Sequence, residues 1–108
     1  MASTFKSYAQ NTVGTTPVTV YTTPASTQST VIGLTVANVT TNQILVNATI
    51  TKGATTTHVI KNAPVPAGSS LVLFGGDQKL VLEATNSFAV SSNTATSADC
   101  IISVLELT

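Results

Sequence analysis

At 108 residues the chain makes one domain, long enough to bury about 60–65% of the surface its unfolded form exposes, and it folds alone with little margin. Four lysines, no arginine and four acids give a formal charge of zero, and only 7% of residues are charged, far below the usual quarter. Phosphate binding needs clustered cations, and Lys6, Lys52, Lys61 and Lys79 are scattered, so nucleic acid is not expected as a direct partner. A hydrophobic fraction of 43% argues against disorder.

Thr supplies about a fifth of the chain and, with Val and Ile, favours pleated, half-buried surfaces, which predicts an all-β domain. Residues 1–17 are polar and weakly patterned, with Phe5, Tyr8 and Val13 the only large apolar groups. They read as an N-terminal arm that orders against its own domain or a neighbouring subunit, leaving 18–108 as the sandwich domain. No apolar core of a signal peptide follows Met1, and no stretch is long enough to span a bilayer, so no membrane partner is expected.

Val18–Thr22 alternates and stops before Pro24. Thr30–Asn38 is a second strand, with Ile32, Leu34 and Val36 expected on one face. Ile44–Thr51 is the cleanest half-buried strand, with Ile44, Val46, Ala48 and Ile50 inward. Lys52-Gly53-Ala54 is a turn into a strand over Thr55–Lys61 that includes His58. After the rigid corner Pro64-Val65-Pro66-Ala67-Gly68, the runs Leu71–Phe74 and Lys79–Glu83 flank Gly75-Gly76-Asp77-Gln78 and read as a hairpin or a strand–corner–strand unit. Leu71, Leu73, Leu80 and Leu82 are its expected core residues. Ser87–Ser91 sets Phe88 and Val90 on one face, and Ala98–Thr108 closes the chain.

That last strand is apolar on both faces: Cys100, Ile102 and Val104 on one, Ile101, Leu105 and Leu107 on the other. Such a strand is either central under a cover or buried against another molecule. With Phe5 and Tyr8 of the arm, Ile101, Leu105 and Leu107 are the expected partner contacts. The count of seven or eight short strands at regular spacing predicts a single antiparallel β-sandwich, immunoglobulin-like or jelly-roll.

The chemistry inventory is thin, and no enzyme is expected. His58 is the one histidine, and no Ser or Thr carries a nucleophile signature such as Gly-x-Ser-x-Gly. Asp77, Glu83, Asp99 and Glu106 show no paired-carboxylate spacing. Gly75-Gly76-Asp77 lacks both the Lys-Ser/Thr of a phosphate loop and the spaced acids of a calcium loop, so no cofactor or metal is expected. Cys100 sits in an apolar run as a buried small hydrophobe. Asn38-Val39-Thr40 and Asn47-Ala48-Thr49 match the glycosylation pattern by chance in a Thr-rich chain. Without Trp, and with two Tyr and three Phe, stacking platforms for sugars are few, and a carbohydrate-binding module is a remote reading.

Met1-Ala2-Ser3-Thr4-Phe5-Lys6, Gln10, Val20-Tyr21-Thr22-Thr23-Pro24-Ala25, Val31-Ile32 and Val36-Ala37-Asn38 together resemble the opening of small virion structural proteins of tailed bacteriophages, of the cyanophage and marine-phage type. Pro66-Ala67-Gly68-Ser69-Ser70-Leu71-Val72-Leu73 and Gly76–Glu83 are similar to the corner and hairpin of the same group. The resemblance carries no catalytic or binding residue. It implies a β-sandwich in the virion, made in the host cytoplasm. There it would be a capsid decoration (cement) protein on the outside of the head, or alternatively a neck, tail or tail-fibre accessory that could bind a receptor. Its implied partner is the major capsid protein or a neck or tail protein, and a small homo-oligomer is expected.

Overall fold

The computed structural model describes residues 2–74 and 80–108. Within them the chain is all β, with nine strands: β1 (Ser3–Val13), β2 (Val18–Thr22), β3 (Gln28–Asn38), β4 (Ile44–Lys52), β5 (Thr55–Val65), β6 (Ser70–Phe74), β7 (Leu80–Leu82), β8 (Ser87–Ser92) and β9 (Ala98–Leu107). One sheet has the order β1-β9-β3-β6, with β7 also on β3; the other runs β2-β8-β4-β5, and every pairing is antiparallel. Because β6 and β7 occupy one edge position, the two sheets hold eight strand positions. Most connections cross between the sheets, which is the jelly-roll form of the expected sandwich.

The core lies between the sheets and follows the period-2 alternation. Ile44, Val46, Ala48 and Ile50 of β4 face it, with Phe88 and Val90 of β8 and Cys100, Ile102 and Val104 of β9. Three expectations change. The arm is not a separate region: β1 pairs with β9 from Ser3–Leu107 to Val13–Ala98. Its pattern was hard to read because it is an edge strand that is exposed over most of its length, and only Val13 is buried. In β3 the register shifts between Val31 and Gly33, so Val31 and Leu34 both face the core, and Ile32 is not on the face of Leu34 and Val36.

The third change concerns the expected hairpin. β6 pairs with β3 over Leu34–Ala37 and β7 with β3 over Ser29–Val31, so the two are successive segments of one edge and not each other's partners. Residues 75–79, the expected glycine turn, lie outside the described residues. Leu82 is fully buried, and Leu71 and Leu80 are partly buried against the core; the side chain of Leu73 falls outside the described set. Pro64 lies within β5, which tolerates it because β5 is an edge strand.

Candidate functional site

Two features stand out from the fold, a buried polar cluster and an uncovered apolar face. The alternation of β9 that buries Cys100, Ile102 and Val104 carries Glu106 inward as well, to 4% exposure. Its carboxylate is met by Lys6 of β1, with Nζ 3.0 Å from Oε1, and by Tyr21 of β2, whose hydroxyl donates to Oε2 at 2.6 Å. An ionised carboxylate only accepts, so the Tyr21 proton goes to Glu106 and Ser29 Oγ, 2.5 Å away on β3, donates to Tyr21. Tyr8 packs on Tyr21 with ring centroids 5.2 Å apart.

The bond from Tyr21, and then the Lys6 ammonium, hold the Glu106 carboxyl below its ordinary range in spite of burial. The bond and charge of Glu106 push Lys6 up, and burial followed by the bond to Glu106 pushes Tyr21 up to about 12. The cluster therefore holds fixed charges near neutral pH and has no proton to exchange there. It is a tie: Glu106, Lys6 and Ser29 belong to one sheet and Tyr21 to the other, so it fastens the two sheets together at the β1 and β2 edge. Sequence reasoning missed it, although Glu106 continues the inward phase of residues 100, 102 and 104.

The second feature is the outer face of the β1-β9-β3-β6/β7 sheet. Phe5 and Leu105 are register partners there, as are Ala9 and Ile101, with Leu107 further along β9. Phe5 is 74% exposed and Ile101 49%. On the far edge Val72 opposite Thr35 and Val81 opposite Thr30 are 61% and 59% exposed. Among the described residues the ionisable groups reaching this face are Asp99 at its end, whose carboxylate accepts from the Thr12 N–H at 3.1 Å, and Lys6, which lines a hollow beside Phe5 and Ser103 while ion-paired with Glu106. The other sheet turns hydroxyls and amides outward instead, with Asn47, Thr49 and Thr51 of β4 and Ser87 and Ser91 of β8.

Of the expected contacts, the structure thus gathers Phe5, Ile101, Leu105 and Leu107 on one surface. Tyr8 is not with them. It pairs with Ile102 and points to the inner side, against Tyr21. Val72 and Val81 were missed; for Val72 the signal was the run Leu71–Phe74, which is apolar at every position and so on both faces of a strand.

The remaining candidates are absorbed by the scaffold. Tyr21 is buried, His58 lies exposed on β5, and Cys100 is 5% exposed with its thiol pushed up to about 11, chiefly by burial. Asn38 is buried, its amide donating to the Asn42 and Val65 carbonyls while its Oδ1 accepts from Thr40, so it is a turn brace and not a glycan acceptor.

No family model matches the chain, and no curated protein matches it in sequence. Among solved structures it is similar to a protein of the disulfide-linked pili that form Bacillus endospore appendages, at a TM-score of 0.59 and 15% identity over 98% of this chain and 88% of that one. It is also similar to chains of the T13 particle of infectious bursal disease virus (TM-score 0.54, 12% identity, 96% of this chain and 35% of that one) and of the Gx strain of that virus (0.52, 13%, 94% and 32%). The chain spans about a third of those viral chains. At these identities the likeness establishes a shared sandwich fold.

Proposed function

We propose that the protein is a non-enzymatic structural subunit of a virion, bound as a decoration protein to the outside of a tailed-phage head. The observation that carries this reading is the outer face of the β1-β9-β3-β6/β7 sheet, whose exposed Phe5, Val72, Val81 and Ile101 suit a surface meant to be covered by protein. The low charge fits it, since a protein that stays free in solution usually relies on net charge to keep copies apart. The fold is shared with chains of a virus particle and of a spore pilus, which supports a place in an assembly. The resemblance to phage virion proteins supplies the phage head.

In that role the protein binds the major capsid protein and bridges neighbouring capsomers. It adds interface across joints that internal pressure pulls apart, and a standard contact buries about 800 Å² per partner. Separated heads and tails are probed for the protein; it is expected on heads, and recovery with tails moves it to a neck or tail accessory. Heads lacking it are expected to release DNA at a lower temperature and to regain the wild-type threshold when purified protein is added. Equal thresholds with and without it rule out the cement role.

A further inference from the structure

The apolar face carries an internal pattern that points to its occupant. Take the Ser7–Ser103 pair as its midpoint. On β1, Phe5 lies two residues to one side and Ala9 two to the other; on β9 the same rows hold Leu105 and Ile101. On β3 they hold Thr30 and Thr35, and on the far edge Val81 and Val72. A two-fold axis lying in the face and crossing the strands at Ser7 and Ser103 therefore exchanges Phe5 with Ala9, Leu105 with Ile101, and Val81 with Val72.

The relief follows the same pattern. Phe5 is the tallest exposed group, and Ala9, Thr35, Ala37 and Ile101 line a shallow groove of about 270 Å³ at the opposite end. The axis itself runs over a hollow lined by Ser7 and Ser103 together with Phe5, Lys6 and Ile32, so the centre is recessed.

We infer that this face docks on the same face of a second copy, as an isologous two-fold dimer in which Phe5 of each chain enters the Ala9–Ile101 groove of the other. Charge permits it among the described residues: the two Asp99 carboxylates fall at opposite ends, roughly 27 Å apart along the strands, and Lys6, which lines the central hollow, is neutralised by its ion pair with Glu106. Area permits it: four strands at about 4.8 Å and nine or ten residues at about 3.4 Å give a footprint of roughly 600 Å² before side-chain relief, close to the ~800 Å² per partner of a stable interface. Sheets pack in this way face to face at about 30°. The dimer leaves the Thr- and Ser-bearing face of the other sheet free to meet the particle. This rests on the reading above only in taking the apolar face to be an interface.

Sedimentation equilibrium of the purified full chain tests it. The wild type is expected to be a dimer at micromolar concentration. Val72→Lys and Val81→Glu, each at an exposed position, are expected to keep the wild-type circular dichroism and, compared at a dilution where both chains are monomeric, the wild-type melting temperature. Each is expected to weaken dimerisation about 100-fold by setting a charge against an apolar group twice per dimer. With both substitutions in one chain, the two-fold sets each new ammonium against the partner's new carboxylate, and affinity returns to within about tenfold of wild type. A wild type that is monomeric at 100 times that concentration, single variants that dimerise normally, or a double variant that does not recover overturns the dimer. A monomer that still decorates heads overturns it while leaving the structural role standing.

Discussion

Neighbouring residues of β9 divide between two surfaces of nearly the same chemistry. Ile102, with Cys100 and Val104, lies against the opposite sheet and is fully buried; Ile101, with Leu105 and Leu107, lies on the side where no described part of the chain covers it. Apolar side chains on a strand therefore say that a face is to be covered. Whether the cover is the same chain or another molecule depends on where the second sheet stops. The outer face of β4 and β8, where hydroxyls and amides outnumber Leu45 and Ala89, shows that this sandwich does not require a mainly aliphatic outside.

The largest expected effect sharpens that division. Ile102→Ala should lower folding stability by about 2–5 kcal/mol in chemical denaturation, as buried aliphatic truncations do. Ile101→Ala, one residue away, should stay within about 0.5 kcal/mol in the same experiment run dilute enough for the chain to be monomeric. Equal losses at the two positions would mean that the outer face is covered within the monomer, and the comparison would fail.

The polar tie should give a middle-sized effect. Tyr21→Phe removes the hydroxyl bonded to Glu106 and Ser29 and should cost about 1.5–3 kcal/mol, because one partner is a buried carboxylate. Retained stability in that variant would show that the sandwich closes without the tie.

Acid should act through the same group. The folded-state pKa of Glu106 lies below its usual value of 4.5, so its contribution is complete above that value and is lost as pH falls through the depressed one. Melting temperature should therefore drop as pH falls below about 4.5, and less steeply in Lys6→Met, which removes part of what holds the pKa down. An identical acid slope in both proteins would assign the drop to other carboxylates. At the alkaline end Tyr21 is raised to about 12, so its contribution is whole below pH 10 and fades between there and about 12.

Much of the fold was legible because strands write their burial as a period of two. β4 and β8, and the inward set of β9, are where alternation places them, and the last strand declared its two faces outright. β1 was not legible as a strand. It is an edge strand with most of its residues exposed, so burial selected no apolar phase for it, and Lys6 and Gln10 stand where a covered strand would carry Val or Ile. β3 misled at Ile32 because a bulge moves the phase by one residue; its local signal was Gly33, a glycine inside a strand at the point where the register shifts. The two runs around the glycine turn looked like a hairpin because turns are local. That both instead pair with β3 is a long-range choice.

The same distinction holds for the candidate surfaces. The sequence by itself determined an all-β chain, nearly free of charge, with more apolar strand surface than one core absorbs, since composition and alternation are local properties. Only the tertiary structure decided that Phe5, Leu105, Ile101, Val72 and Val81 share one face, that Tyr8 does not, and that Glu106 enters the sandwich with partners for its charge. Those outcomes depend on strand order and register, which bring Tyr21 to a residue 85 positions away. Pairing energy between distant strands sets that order, and it leaves no mark within any one stretch of sequence.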